Sequence, residues 1–162
     1  MIKKVLVLIS ALAMLVSGAL FTASAQDGPT PQQRAEAAAD TRQSVFKLLI
    51  FNLRPIAGMA QGAPFDAEVA EQNARNIAAL APMIPGLFAA MDTRDFDVET
   101  EALDVIWENP TEFAAKAQAL LEGANNFAEV ASGGDMAATL GAFRGLGGSC
   151  GNCHDDFRVD ND

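Results

Sequence analysis

The only two cysteines of this chain lie on the apolar stripe of its last helical stretch. The stripe is Leu140, Phe143, Leu146, Cys150, Cys153 and Phe157, at spacings 3, 3, 4, 3 and 4. That is the repeat of one helix face, so whatever the cysteines hold must lie against a helical core. His154 follows at once, giving Cys-x-x-Cys-His eight residues from the C-terminus. Thiols at i and i+3 with an imidazole at i+4 share one face. The pattern suits a porphyrin: the thiols add to two vinyl groups on one edge, and the imidazole turns to the iron. It predicts one covalent haem c per chain, set inside a bundle, with Cys150 and Cys153 as attachment points and His154 as axial ligand.

Two other chemistries use these residue types. A redox dithiol usually sits in a βαβ setting, and no stretch here reads as a strand. A structural zinc wants about four ligands; with two cysteines and one histidine, an acid such as Asp155 or Asp156 would have to complete the set.

The other end of the chain fits covalent haem, which bacteria attach outside the cytoplasm. Lys3 and Lys4 precede an apolar run from Val5 to Leu20, and Ala23-Ser24-Ala25 fits the small-x-small cleavage rule. Residues 1–25 therefore read as an export signal cleaved after Ala25. The run is short for a membrane span. Residues 26–162 are left as one haem domain in the periplasm, with no membrane attachment. Losing two lysines and no acids moves the formal charge from −10 to −12. So acidic a protein does not favour nucleic acid.

The remainder reads as helices. Thr30 and Pro31 open the first, with a stripe of Phe46, Leu49, Leu53 and Ile56; Pro55 is expected to kink it or end its regular part. After the break at 62–64, Asp66 caps a second helix with Val69, Asn73, Ile77 and Leu80 inward, stopped by Pro82, Pro85 and Gly86. A long connection follows to Thr100, with one or two helical turns over 102–107. Asn109, Pro110 and Glu112 read as the N-cap, first-turn proline and capping-box acid of a third helix. Its stripe is Phe113, Ala117, Leu120, Ala124, Phe127 and Ala131. Ser132-Gly133-Gly134 ends it, and Asp135 caps the fourth. Gly141, Gly145, Gly147, Gly148 and Gly151 crowd that last helix. Each costs about 1 kcal/mol against Ala, which suggests close approach by haem or a neighbouring helix. Short outer connections and a long middle one give an all-α, antiparallel up-down-up-down four-helix bundle.

An export signal, four amphipathic helices and a C-terminal Cys-x-x-Cys-His together resemble the cytochrome c prime family, the class II c-type cytochromes. Supporting marks are Arg42-Gln43, Ala63-Pro64-Phe65-Asp66, Ile106-Trp107 and the run from Cys150 to Arg158. The resemblance implies that the six-coordinate relatives' methionine ligand corresponds to Phe46, which has no lone pair. The iron is then expected to be five-coordinate and high-spin, with an apolar open side. It also implies Arg42 and Gln43 at the haem periphery, Thr100 and Glu101 along its edge, and Arg158 in the proximal pocket beside His154. From the residues alone, Phe46 reads equally as a core aromatic, Arg42 as an exposed helix arginine, and Arg158 as the partner of an acid such as Asp155. Homodimers through the first two helices are common in the family.

An open site under an apolar side chain selects small uncharged ligands, nitric oxide and carbon monoxide; anions would lose hydration uncompensated. The expected function is gas binding, single-electron transfer to an unidentified redox partner, or both, without substrate turnover. Two alternatives stay open: a six-coordinate carrier with a ligand such as Met59, and a haem enzyme with peroxidase or nitric oxide reductase activity. The only histidine is proximal and no distal acid–base pair is visible, which speaks against a peroxidase.

Overall fold

The first helix starts on a reciprocal cap. In the computed structural model, which describes residues 28–160, α1 runs Pro31–Ala60. The Gln33 N–H donates to Thr30 Oγ1 at 3.2 Å, and the Thr30 N–H donates to Gln33 Oε1 at 2.8 Å. This capping box satisfies two donors that a helix start leaves open. The expected export signal lies outside the described residues. Pro55 does not end α1, which continues to Ala60. Phe51 is 70% exposed and Pro55 is exposed, so water can take the Phe51 carbonyl that proline cannot satisfy. The chain leaves α1 through Gly62, whose φ of +101° suits only glycine well.

Helix α2 (Ala67–Leu80) is capped by Asp66 Oδ1, which accepts from the Val69 N–H at 3.0 Å. Its inner face is rotated from the expected one. Ala70, Ala74, Ile77 and Ala78 are buried, while Val69 is 37% exposed. The cause is the neighbour. Helix α5 (Pro110–Ser132) buries Ala117, Ala124, Ala128 and Ala131 among larger residues, and α2 packs on α5 more extensively than any other pair. Alanines on both sides let the helices approach closely, so the bulkier Val69 turns outward.

The middle connection is more ordered than expected. It contains α3 (Met83–Ala89) and the single turn α4 (Val105–Glu108). Pro85 does not stop α3 because it sits in the first turn, where its missing N–H has no helical partner to lose. Asn109 begins α5 without a side-chain cap. Its N–H, which a capping box would offer to Glu112, donates instead to Val105 O at 2.8 Å and closes α4. The α5 stripe is buried as its spacing predicts. Gly134, with φ +74°, leads into α6 (Met136–Phe157), where Asp135 Oδ1 accepts from the Ala138 N–H at 2.7 Å.

The four long helices form a ring in the order α1, α2, α5, α6, closed by α6 against α1. Phe127, Ile56 and Leu146 fill its centre, each almost wholly buried. Of the four neighbouring pairs, α1 and α6 touch least.

Candidate haem site

Residues 150–154 are helical throughout, so Cys150, Cys153 and His154 share a face as their spacing requires. Of the α6 stripe, Leu146 and Phe157 are buried, while Leu140, Phe143, Cys150 and Cys153 are half-buried and packed against the core. Both cysteines are free. Burial pushes each thiol up, partly opposed at Cys153 by the charge of Lys116. A reactive dithiol needs the opposite shift. Nor do three or more His, Cys, Asp or Glu side chains converge on a metal site among the described residues, so the fourth zinc ligand is not supplied. His154 is held below the usual imidazole value, first by burial and then by Arg158, against weaker opposing pulls from Asp155 and Glu101. A neutral imidazole is the form that binds iron.

On α1, Phe46, Leu49 and Leu53 are half-buried rather than fully enclosed. The expected α1 stripe is thus split. Ile56 belongs to the buried set with Val45, Asn52 and Met59, and the other three, like the cysteines, are partly buried at the margin of the core. Two free thiols, an imidazole and apolar side chains from two loosely packed helices fit a flat apolar macrocycle. The glycine explanation needs correction. A Cβ built at Gly141, Gly145, Gly147, Gly148 or Gly151 meets no chain atom within 4 Å, so no neighbouring helix requires these glycines. The close approach is at Gly123 on α5, whose Cβ would lie 3.4 Å from Ser149 Oγ and 3.7 Å from Leu146 Cα.

Arg42 is not an exposed helix arginine: it is 4% exposed. Its Nε donates to Leu87 O at 3.2 Å, Nη1 to Thr93 Oγ1 at 3.0 Å and Nη2 to Met91 O. The guanidinium carbon stands 4.6 Å from the Phe88 ring centroid and 5.4 Å from that of Trp107. Burial lowers its pKa, opposed by the charge of Asp92. Gln43 Nε2 donates to Glu99 O at 2.9 Å, and Thr100 Oγ1 accepts from the Ala102 N–H at 3.1 Å. Arg158 pairs with Glu101, at 4.0 Å, and not with Asp155. It also forms an isolated antiparallel bridge with Ala102. Glu101, Arg158 and His154 therefore come together. One residue near the cysteines escaped the sequence reading. Lys116 of α5 meets Asp156 of α6 at 2.5 Å, and its charge acts on Cys153. Its position three residues after Phe113, at the margin of the α5 stripe, was the available signal.

An antiparallel four-helix bundle with Cys-x-x-Cys-His in its last helix defines a class of c-type haem proteins. Residues 37–158 match the family described as Cytochrome C'. The cytochrome c-554 of Cereibacter sphaeroides is 38% identical over 152 residues, covering 93% of this chain and 96% of that protein. The crystal structure of cytochrome c' from Rubrivivax gelatinosus superposes with a TM-score of 0.67 at 32% identity, covering 77% of this chain and 97% of that one. A nitric oxide complex of a variant cytochrome c prime from Alcaligenes xylosoxidans gives 0.67 at 26% identity, covering 78% and 97%. The chain belongs to the cytochrome c prime family, and its cofactor is covalent haem c.

Proposed function

We propose that this protein is a periplasmic gas-binding and electron-transfer haem protein whose iron keeps one axial position open. Cys150 and Cys153 hold the macrocycle covalently and His154 ligates the iron. Bound haem c supplies a redox-active metal able to take a small ligand. The chain decides which ligands enter. The observation that carries the reading is Phe46, half-buried on the α1 face that continues the apolar margin with Leu49 and Leu53. It offers no lone pair to the metal and no hydrogen-bond donor to a ligand, which favours nitric oxide and carbon monoxide over anions. Met59 is a poor sixth ligand. It is buried further along an uninterrupted α1, about 20 Å of helix rise from Phe46.

Arg42, Gln43, Thr100 and Glu101 serve the haem periphery, and Arg158 the proximal side. The cytochrome c prime of Alcaligenes xylosoxidans, solved with nitric oxide, supports the same ligand here. No acid–base pair accompanies the single histidine, which favours binding over turnover. Residues 1–25 act as a cleaved export signal ahead of one haem domain. No helix among the described residues is long and apolar enough to cross a membrane. Leu48 and Phe51 on α1 and Val69 on α2 are exposed, which suits a homodimer through these helices.

The test is the absorption and spin state of the ferric and ferrous protein with and without nitric oxide. A high-spin spectrum that changes on adding the gas is expected. A low-spin ferrous spectrum indifferent to it would refute the reading. Phe46→Met should shift the iron toward six-coordination; an unchanged spectrum would remove Phe46 from the open side.

A further inference from the structure

Helix α3 is seven residues long, and side chains from elsewhere finish it. The Ala90 N–H reaches back to Gly86 O at 2.9 Å, leaving the later carbonyls without helical donors. Arg42 Nε takes Leu87 O, and Trp107 Nε1 takes Phe88 O at 3.1 Å. Arg42 also holds Met91 O and Thr93 Oγ1. Further along the same connection, Gln32 Nε2 donates to Asp97 O at 2.7 Å and Gln43 Nε2 to Glu99 O. Side chains of α1 thus fasten the connection at both its ends. Beyond Glu99 the connection crosses to α6. The Val159 N–H donates to Glu101 O at 2.8 Å and the Leu103 N–H to Phe157 O at 3.1 Å.

We propose that Arg42 is a positioning residue for the haem site, acting through residues 87–103. It fixes that segment on α1, and the segment's far end fixes the turn of α6 that follows His154. The role rests on the haem assignment above. Arg42 takes part in none of the ion pairs among the described residues. Its charge serves three oxygens of one segment, which a planar guanidinium fork reaches together and an ammonium does not. Phe46 stands one turn after Arg42 on α1, and His154 one turn before Arg158 on α6. The segment therefore sets the distance between the apolar wall and the imidazole.

The experiment compares the haem-loaded wild type with Arg42→Lys and Thr93→Val. It reads amide hydrogen exchange over residues 87–103 and the association rate of carbon monoxide with the reduced protein. Each variant loses hydrogen bonds to the segment. Each should speed exchange about tenfold, including residues 99–103, which Arg42 does not touch, and both should move the carbon monoxide rate in the same direction. Thr93→Val keeps side-chain size and leaves Arg42 in place, so it decides the matter even if the Arg42 variant fails to fold. Wild-type exchange and rates in Arg42→Lys, or faster exchange in Thr93→Val confined to residues near 93, would overturn the proposal. A low-spin wild type unresponsive to carbon monoxide would instead sink the haem reading, and the exchange measurement would still judge Arg42.

Discussion

Gly147 and Gly148 are adjacent in α6, and a Cβ at either would meet no atom within 4 Å beyond the local backbone of its own helix. Replacing either by alanine should add about 1 kcal/mol through helix propensity and a less flexible unfolded chain. For a domain of this size that is a rise in Tm of about 3–5 °C. The two positions differ in what they share a face with. Gly148 is exposed, one turn from the exposed Gly151 and Asn152. Gly147 is half-buried, three residues before Cys150 and seven before His154, on the helix face it shares with them, where the proposed haem would lie. A methyl there should cost about 1–3 kcal/mol by overpacking, cancelling or reversing the gain. Thermal unfolding of the haem-loaded variants, followed in the haem bands, separates them: Gly148→Ala should melt higher, and Gly147→Ala should not and should shift the spectrum. Equal rises with unchanged spectra would mean that haem does not approach this face, and that the glycines of α6 are merely tolerated.

Phe127→Ala removes a fully buried ring from the centre of the ring of helices and should cost about 3–5 kcal/mol, read as a lower denaturant midpoint. Thr30→Ala removes the Oγ1 that accepts from the Gln33 N–H and leaves the backbone half of the capping box; it should cost about 1 kcal/mol, read in the same way. The hydrogen-bonded Arg94 guanidinium holds the Asp92 carboxyl below its ordinary value. The associated stability is complete above the unfolded pKa, about 3.9, and is lost as pH falls through the lower folded value. Asp92→Asn should therefore flatten the acid side of a Tm–pH curve. It should change little at pH 7, because the pair is solvated.

What the sequence made legible was what short-range chemistry decides. The α5 stripe repeats apolar residues at bundle spacing, and every member is buried. Asp66 and Asp135 cap helices as their positions predict. The α2 face came out rotated because hydrophobicity ranks Val69 above Ala70, whereas close approach to α5 favours the smaller residue. Asn109 failed as a side-chain cap because α4 claimed its N–H, a competition visible only once both helices exist. Thr30 and Pro31 do open α1 as their residue types predict, with Gln33 completing a box that the sequence reading did not name. At the site, Cys150, Cys153 and His154 fall on one face because three residues of spacing dictate it. The partners of Arg42 lie 45 to 51 residues away, in a connection with too little periodicity to be placed in advance.

Alanine has a single side-chain rotamer, so the seam between α2 and α5 surrenders almost no side-chain entropy when it closes. The more open side, where α1 and α6 touch least, carries instead the half-buried Phe46, Leu49, Leu53 and Phe143, which must each settle into one conformer. The division gives the molecule one seam whose closing costs little side-chain freedom and one whose larger side chains must each be ordered.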